Sequence, residues 1–517
     1  MKITVITQKE IPFQGRAAVV KIIPACARIA AMIKVAFIAS EAVPFAKTGG
    51  LADVAGALPR FLGARGAEVT VFLPLYGTTR ERAREFSLSK TSDHEGLDWN
   101  GARVPFALWE SRREGFTARF IERDEYFKRE GLYGTTSGDF PDNGERFGFF
   151  CLAALEAMKT LSFRPDIVHA HDWQSALSLA CLKHRLSGDE FFKGSRSLFT
   201  IHNLAYQGLF PREILRAVGL PEKLFHHEEM EFYGRVSFLK AGILYASAVN
   251  TVSPTYSREI QTPEFGCGLE GLLRHRSRVL SGILNGVDYS NWDPAEDRHI
   301  AARYTRADLR GKEVCKADLL RAFGLPAGDR SAPVIGMVTR LAGQKGLDIL
   351  AEALDDLFRE KLRLVILGQG EPALEKRLAE AAAEHPGAFG LRLGFDETLA
   401  HKIYAGSDLF LIPSRYEPCG LTQMYSLKYG TVPLVRATGG LDDTVEEFDP
   451  ETLQGNGVKF HEHSAAALIE AVRRALRLHG RKELWAALVR SAMACDFSWN
   501  RSAGEYMDLY GKILSAP

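Results

Sequence analysis

Short, mainly apolar runs without polar alternation recur along most of the chain. In the first half they cover Val35–Ala39, Val69–Leu75, Asp166–Ala170, Leu198–Ile201 and Ala248–Val252. Such runs are typical of strands that are buried on both faces, as in a parallel sheet covered by helices. Longer stretches with helical periodicity separate them, for example from Leu51 to about Gly66. The pattern predicts an α/β fold with a doubly wound parallel sheet.

The alternation pauses near Leu284–Asp288 and then resumes, which predicts a second doubly wound half. Its apolar runs are Val334–Val338, Leu364–Leu367, Leu391–Phe395, Leu409–Ile412 and Val432–Val435. The last stretch, Trp499–Leu514, predicts a helix with Tyr506, Leu509, Tyr510 and Ile513 on one stripe. Ligands of such sheets bind beyond the carboxyl ends of the strands, so we expect the site in the cleft between the two halves.

Residues 1–31 do not read as part of either half. Pro12 and Pro24 interrupt any helix, and the stretch contains no Ser and no clean apolar core of a secretory signal. We interpret residues 1–31 as a disordered extension or a mis-assigned start, with Met32 as the true start. The expected division is then 32–284, 285–497 and a C-terminal helix over 498–517.

Charge and composition exclude several functions. The 517 residues contain 65 Lys and Arg against 64 Asp and Glu, a formal net charge of +1. A chain so balanced has no overall basic field for nucleic acid, and no apolar run is long enough to span a membrane. We therefore expect neither nucleic acid nor a membrane as partner.

The seven cysteines are scattered and never form a CxxC pair; they are Cys26, Cys151, Cys181, Cys267, Cys315, Cys419 and Cys495. Their spacing argues against a disulfide framework or a zinc ribbon. A reducing, cytoplasmic location is the corresponding prediction.

The loop after the first predicted strand offers an anion site. Lys47 is followed by the glycine pair Gly49–Gly50, which opens the predicted helix. Free backbone amides and the helix dipole favour an anion there, and the lysine adds a full charge. The loop is neither a GxGxxG dinucleotide motif nor a Walker loop, and a simple tight turn is the plainer interpretation.

Imidazoles follow two later strands. His169 and His171 form a His-x-His next to Asp172, and a further run ends at His202 and Asn203. The other ligands of a metal site do not occur at a recognisable spacing, so a polar strand end that faces a cleft is the better interpretation.

The second half presents cations and a carboxylate. Arg340 and Lys345 lie five positions apart in a loop after a strand, as a diphosphate clamp would require. Glu417 precedes Gly420, which opens a helix, and it could accept hydrogen bonds from a sugar. Cys419 has no neighbouring base, which disfavours thiol catalysis. Solvated surface cations and a capping carboxylate are the plainer alternatives.

Eight motifs together resemble the family of bacterial glycogen synthases and plant starch synthases. They are KTGGLADV (47–54), HAHDW (169–173), HNLAYQG (202–208), SPTY (253–256), LNGVD (284–288), RLAGQKG (340–346), PSRYEPCGLTQ (413–423) and RATGGLDDTV (436–445). The resemblance runs from about Ile33 to the C-terminus. It implies a B-type glycosyltransferase fold of two Rossmann-like domains, the first binding the glucan acceptor and the second the nucleotide sugar, with the C-terminal helix crossing back to the first.

The resemblance also implies an activity: transfer of glucose from ADP-glucose to the 4-hydroxyl of an α-1,4-glucan such as glycogen, with retention and with neither metal nor cofactor. It implies that catalysis depends on Glu417, His202, Lys345, Arg340 and Asp172. It further implies a donor site lined by Lys47, Gly49, Gly50, Asp53, Asn203, Asn285, Phe395, Cys419, Gly420, Leu421 and Thr422.

Two positions vary within that resemblance. The aromatic residue that stacks on the adenine, often Tyr in the family, is Phe395 here, and broader relatives have a second glutamate where this chain has Tyr425. UDP-glucose as donor, an α-glucan phosphorylase with pyridoxal phosphate, and a non-catalytic glucan-binding protein are the alternatives that remain open.

Overall fold

The structure is a computed structural model that describes residues 32–135, 138–328 and 331–516. The predicted extension over residues 1–31 lies outside the described residues. The strands are β1 (Lys34–Ile38), β2 (Glu68–Pro74), β3 (Ser89–Trp99), β4 (Ala102–Arg113), β5 (Phe116–Glu122), β6 (Gly134–Thr135), β7 (Gly138–Asp139), β8 (Ile167–His171), β9 (Arg196–Ile201), β10 (Leu209–Phe210), β11 (Glu231–Phe232), β12 (Arg235–Ser237), β13 (Ala248–Thr251), β14 (Leu280–Gly282), β15 (Val334–Val338), β16 (Arg363–Gly368), β17 (Phe389–Leu393), β18 (Leu409–Ile412), β19 (Val432–Arg436) and β20 (Val458–Phe460).

The helices alternate with these strands over most of the chain. They are α1 (Gly50–Gly63), α2 (Gly77–Glu81), α3 (Asp124–Phe127), α4 (Asn143–Thr160), α5 (Asp172–Ala180), α6 (Ile214–Ala217), α7 (Phe238–Tyr245), α8 (Pro254–Glu259), α9 (Glu270–His275), α10 (Arg310–Ala322), α11 (Leu347–Arg359), α12 (Pro372–Glu384), α13 (Glu397–Gly406), α14 (Thr422–Lys428), α15 (Gly439–Thr444), α16 (Ala465–His479), α17 (Lys482–Ala494) and α18 (Trp499–Ser515). None of the helices in the described residues is long and apolar enough to cross a membrane.

Two large sheets organise the molecule. The first has the strand order β14-β13-β9-β8-β1-β2-β5-β4-β3, in which β3, β4 and β5 pair antiparallel and the other neighbours pair parallel. The second has the order β17-β16-β15-β18-β19-β20 and is parallel throughout. Apolar side chains are buried on both faces of each sheet. The predicted doubly wound α/β fold is confirmed.

Helix α18 packs against the first sheet, where Tyr506, Tyr510 and Ile513 are buried. Two of its phenols also join a buried polar network. The Tyr510 hydroxyl lies 2.8 Å from Nδ1 of His169, and Asn250 Nδ2 donates to the Tyr506 hydroxyl over 3.2 Å. Because an unpaired buried polar group is costly, this network fixes the helix on the strands that lead to the cleft.

The two sheets meet through loops that follow their strands. The Val287 amide donates to the Phe497 carbonyl over 2.7 Å, so the two chain segments that connect the halves lie side by side. Further along, the Thr255 hydroxyl in α8 donates to Asp443 in α15 over 2.7 Å. Since α8 follows β13 and α15 follows β19, the carboxyl ends of strands from both sheets border one crevice.

Candidate functional site

Glu41, which the sequence analysis did not single out, organises the loop after β1. Its carboxylate accepts hydrogen bonds from the amides of Thr48 (2.5 Å) and Gly49 (3.3 Å), and from the Tyr133 hydroxyl (3.1 Å). Burial raises the pKa of Glu41 while these donors oppose the rise. The carboxylate therefore holds the backbone of the glycine loop in one conformation.

The glycine pair faces open space. A Cβ atom built on Gly49 or Gly50 would meet no atom within 4 Å, so no close contact within the protein requires glycine there. Helix α1 begins at Gly50 without a side-chain cap. The fold itself does not need glycine at these two positions. A ligand that approaches the backbone closely at the start of a helix would need it, because a side chain there would stand in the way.

Lys47 lies beside this helix start and pairs with Asp53, with 2.7 Å between Nζ and Oδ1. The lysine side chain is 54% exposed. An ion pair as exposed as this contributes little to stability, so the ammonium can exchange its partner for a ligand anion at small cost.

Asp172 and His202 meet at the ends of β8 and β9. Asp172 Oδ1 accepts a hydrogen bond from the His202 amide over 2.7 Å, and Nε2 of His202 lies 3.0 Å from Nδ1 of His171. Asp172 has a φ of +53°, in the left-handed region that is uncommon for residues other than glycine but that Asp adopts more often than most. Burial raises the pKa of Asp172 to about 7 and lowers that of His202 to about 3. The imidazole of His202 is thus neutral at physiological pH.

We expect Asp172→Asn to change the pH dependence of stability. Because the pKa of Asp172 is about 7 in the folded protein against 3.8 for a free side chain, the folded state holds a proton that the unfolded chain has lost between these values. The free energy of unfolding of the wild type therefore falls as pH rises through this window. The asparagine variant lacks that loss, so its stability relative to the wild type should increase from pH 4 to 7 and then level off. Thermal melts across pH 4–9 measure the difference, and a constant difference would contradict the raised pKa.

In the second half, the loops that follow β15 and β18 are joined at a shared carboxylate. Glu417 Oε2 accepts hydrogen bonds from Lys345 Nζ over 2.6 Å and from the Ser414 hydroxyl over 3.0 Å. The Lys345 and Glu417 side chains are 17% and 10% exposed. Gly346 makes the approach possible, because a Cβ there would lie 1.9 Å from the Pro413 carbonyl oxygen. The two predicted residues therefore form one largely desolvated ion pair.

A second glycine pair, Gly439–Gly440, packs against the backbone of the Glu417 loop. A Cβ on Gly439 would lie 2.0 Å from the Glu417 carbonyl oxygen, and one on Gly440 would lie 2.0 Å from that of Cys419. The Gly440 amide also donates to the Glu417 carbonyl over 3.1 Å. The glycines of the TGGL motif (438–441) are thus required by backbone packing. The sequence pattern alone could not distinguish this requirement from ligand binding.

Cys419 and Asn285 meet where the halves join. Cys419 is buried among Val252, Val287 and Met424, and the nearby backbone of Asn285 only partly opposes the effect of burial on the pKa of its thiol. Burial raises the pKa of the thiol to about 12. A thiol that stays protonated is a poor nucleophile, which agrees with the prediction against thiol catalysis.

The segment after Cys419 leads into α14. Gly420 has a φ of +71°, which favours glycine, and Leu421 precedes the helix, which begins at Thr422 without a side-chain cap. The three residues therefore continue the Glu417 loop along the crevice.

Arg340 and Phe395 are both exposed. No carboxylate of the described residues pairs with the Arg340 guanidinium, which lies near the Tyr416 phenol. Phe395 is 84% exposed. The apolar run Leu391–Phe395 predicts a strand that includes this residue, but β17 covers Phe389–Leu393, so the predicted strand was wrong by two residues. Phe395 consequently lies in the loop after the strand, where its ring is open to a ligand.

Contacts across the crevice bring the two sets of residues together. The side chain of Asn203 lies close enough to the Tyr416 phenol, which stands next to Glu417 in the chain, to oppose the rise in the phenol's pKa that burial causes. On the other side, burial and then the nearby Asp53 carboxylate raise the pKa of Tyr425 in α14. Asp53, the partner of Lys47, therefore lies near the helix that follows the Glu417 loop. Tyr416 was missed because only its position across from Asn203 marks it.

Comparison with known proteins agrees with this arrangement. The family model described as "Starch synthase catalytic domain" matches residues 34–275, and "Glycosyl transferases group 1" matches 327–490. A glycogen synthase of Anaeromyxobacter sp. (strain Fw109-5) is 50% identical over 486 residues, covering 94% of this chain and 100% of the relative. A glycogen synthase of Koribacter versatilis (strain Ellin345) is 50% identical over 479 residues, covering 92% of this chain and 98% of the relative.

A solved structure is similar over the same span. It is the catalytic domain of starch synthase IV from Arabidopsis thaliana bound to ADP and acarbose, with a TM-score of 0.84, 34% identity and coverage of 94% of this chain and 100% of that chain. The eight motifs, the two doubly wound sheets and these relatives agree. The chain belongs to the glycogen synthase and starch synthase family of glycosyltransferases.

Proposed function

We propose that this protein transfers glucose from ADP-glucose to the 4-hydroxyl at the non-reducing end of an α-1,4-glucan such as glycogen, with retention of the α configuration. One observation carries the proposal: the Lys345–Glu417 ion pair and the Asn203–Tyr416 contact border a single crevice. The relatives from Anaeromyxobacter and Koribacter, which support the proposal, are glycogen synthases. The similar starch synthase IV structure is described as bound to ADP and acarbose.

The cations of the crevice would stabilise the leaving group. When the bond between the anomeric carbon and the diphosphate breaks, its electron pair leaves with ADP and negative charge develops on the phosphate oxygens. Arg340 is unpaired in the described structure, and Lys47 and Lys345 each hold one carboxylate that a ligand could share. Fixed positive groups aimed at developing charge are usually the largest catalytic contribution, and here they would act where a metal ion acts in other transferases.

The sugar would be held by neutral and anionic acceptors. Glu417 could accept hydrogen bonds from glucose hydroxyls, and the neutral His202 could bond to a hydroxyl without adding charge. Retention follows when the acceptor 4-hydroxyl attacks the face that the diphosphate leaves and gives its proton to the departing phosphate oxygen. Asp172 acts as a positioning residue, since its carboxylate holds the His202 backbone.

The nucleotide base would stack on Phe395. The ring is exposed on the second half and can cover either adenine or uracil, so ADP-glucose is preferred here on the resemblance and on the ADP of the solved relative. The domain division at 284/285 and 497/498 stays a prediction, which the adjacency of Val287 and Phe497 supports.

We expect purified protein to release ADP from ADP-glucose only when glycogen is present, and to prefer ADP-glucose over UDP-glucose when the two compete. The measurement is coupled detection of both nucleotides with and without glycogen, with absorbance near the Schiff-base band of pyridoxal phosphate as a control for a phosphorylase. Preferential UDP release would reassign the donor. Glucan binding without release of either nucleotide would indicate a binding protein instead.

A further inference from the structure

We propose that Tyr233, with Tyr206, forms an aromatic platform that binds the growing α-1,4-glucan outside the transfer crevice; this inference rests on the function proposed above. The platform lies on the first half, on the surface that continues from the His202 loop. It would contact glucose units that are already part of the acceptor chain, and it would therefore set the preference for long over short glucans.

Exposure singles out these two rings. Of the fifteen tyrosines in the chain, all of which the structure describes, only Tyr206 at 53% and Tyr233 at 84% are exposed. A tyrosine combines an apolar ring with a polar edge, and its ring matches the flat C–H face of a pyranose while water reaches the sugar hydroxyls. We therefore expect two such rings near a glucose-binding crevice to bind the glucan chain.

The backbone at Tyr233 is unfavourable for a bulky residue. Tyr233 and Gly234 form the two-residue turn between β11 and β12, with φ values of +49° and +78°. Asn and Gly are favoured at both positions of such a turn, whereas a bulky side chain there strains the backbone. The Tyr233 ring is 84% exposed and meets the neighbouring Phe232 ring edge to face, with 4.7 Å between centroids, so the fold gives it little other packing to offset that strain.

The hairpin is nevertheless firmly held. Glu231 Oε1 accepts a hydrogen bond from the Gly234 amide over 2.6 Å. The Lys240 ammonium, which is only 7% exposed as a residue, donates to the carbonyls of Glu231 (2.8 Å) and His227 (2.5 Å). A buried charge that is satisfied by backbone carbonyls fixes the base of the hairpin. The ring is therefore presented by a preorganised support, which lowers the entropy cost of binding.

The hairpin is also joined to the crevice. Strand β12 pairs with β10, which directly follows the HNLAYQG loop, and the Phe238 amide donates to the Gly208 carbonyl over 3.0 Å. The Gln207 side chain donates to the Cys267 carbonyl over 2.8 Å, and a Cβ on the adjacent Gly268 would lie 3.6 Å from the Tyr233 ring.

Tyr206 stands nearer the reaction site, beside the Tyr416 phenol, whose pKa is raised by burial and then by Tyr206. The Cys267–Gly268 turn thus lies between the Gln207 loop and Tyr233. The hydrogen bond from Gln207 to Cys267 and the packing of Gly268 against the Tyr233 ring join Tyr233 to the loop that carries Tyr206.

The test compares Tyr233→Asn, which suits the turn, with Tyr233→Phe, which keeps the ring. We expect Tyr233→Asn to raise the KM for glycogen and for a long linear glucan about 2–12-fold, the factor to which about 0.5–1.5 kcal/mol for one stacked ring converts. The KM for ADP-glucose and the rate with maltotriose should stay within about twofold, and thermal stability should be unchanged or higher. Tyr233→Phe should restore the KM for long glucans.

Leu453→Ala is the matched control, because Leu453 is also 50% exposed and has a φ of +59° in a turn of the second half. An unchanged KM for long glucans in Tyr233→Asn, or equal losses with maltotriose and glycogen, would overturn the platform. Affinity electrophoresis in glycogen gels measures binding without turnover. If the wild type binds glycogen through Tyr233 but releases no nucleotide, the proposed activity fails and the platform stands.

Discussion

Replacing Lys345 with alanine is expected to lower turnover with ADP-glucose and glycogen about 10²–10³-fold, the usual effect of removing one preorganised group that stabilises charge in the transition state. Lys345 is the most enclosed of the candidate cations, with a side chain 17% exposed and Nζ 2.6 Å from Glu417. A charge in so little water acts strongly on a developing phosphate charge. Arg340→Ala should give a smaller loss in the same direction, because the exposed guanidinium is better screened.

Lys428→Ala is the matched control for Lys345→Ala. Lys428 also forms a partly buried ion pair in the second half, with Asp293 at 2.9 Å and a side chain 25% exposed, but it lies at the C-terminal end of α14, whereas the Glu417 loop precedes the start of that helix, and it is assigned no role in transfer. Steady-state turnover and thermal melts of the variants give the comparison. Turnover near that of the wild type in both Lys345→Ala and Arg340→Ala would remove the case for a phosphate clamp.

The strands of the sheet centres were predictable because burial on both faces leaves a purely apolar signature. Val334–Val338 and Leu409–Ile412 were placed at their observed bounds. The antiparallel edge was missed for the same reason. β3 is largely exposed, and its sequence SKTSDHEGLDW carries polar residues on both faces. β17 begins at Phe389, two residues before the predicted run. The prediction began late because Gly390 interrupts the apolar pattern.

Site residues at strand ends were predictable, and those that depend on long-range approach were not. His202 and Asp172 lie just after apolar runs. They could be predicted because ligands of parallel sheets bind beyond the carboxyl ends of the strands. Glu41 accepts from the Thr48 and Gly49 amides but also from Tyr133, which is 92 positions away, and Tyr416 is marked only by its proximity to Asn203 across the crevice. No local periodicity encodes such contacts.

Glu417→Gln should lower turnover at least about 10²-fold and lower stability as well, and the double variant with Lys345→Ala can separate the two effects. Glutamine keeps the shape and can still accept from Ser414, but it leaves the Lys345 ammonium without an anion in a poorly solvated place. Removing one partner of a buried ion pair lowers the free energy of unfolding by about 3–5 kcal/mol. Because Lys345 and Glu417 are both partly exposed, we expect a smaller loss of stability here.

In the double variant no uncompensated charge remains, so the melting temperature should recover toward the wild type while turnover falls below that of either single variant. That outcome would mean that each side chain acts on the donor by itself, the cation on the diphosphate and the carboxylate on the sugar. If turnover recovered together with stability, the ion pair would only shape the loop, and the role of both residues in transfer would be refuted. Double-mutant cycles on kcat and on unfolding free energy, measured on the same preparations, distinguish the two cases because neighbouring residues couple differently in each quantity.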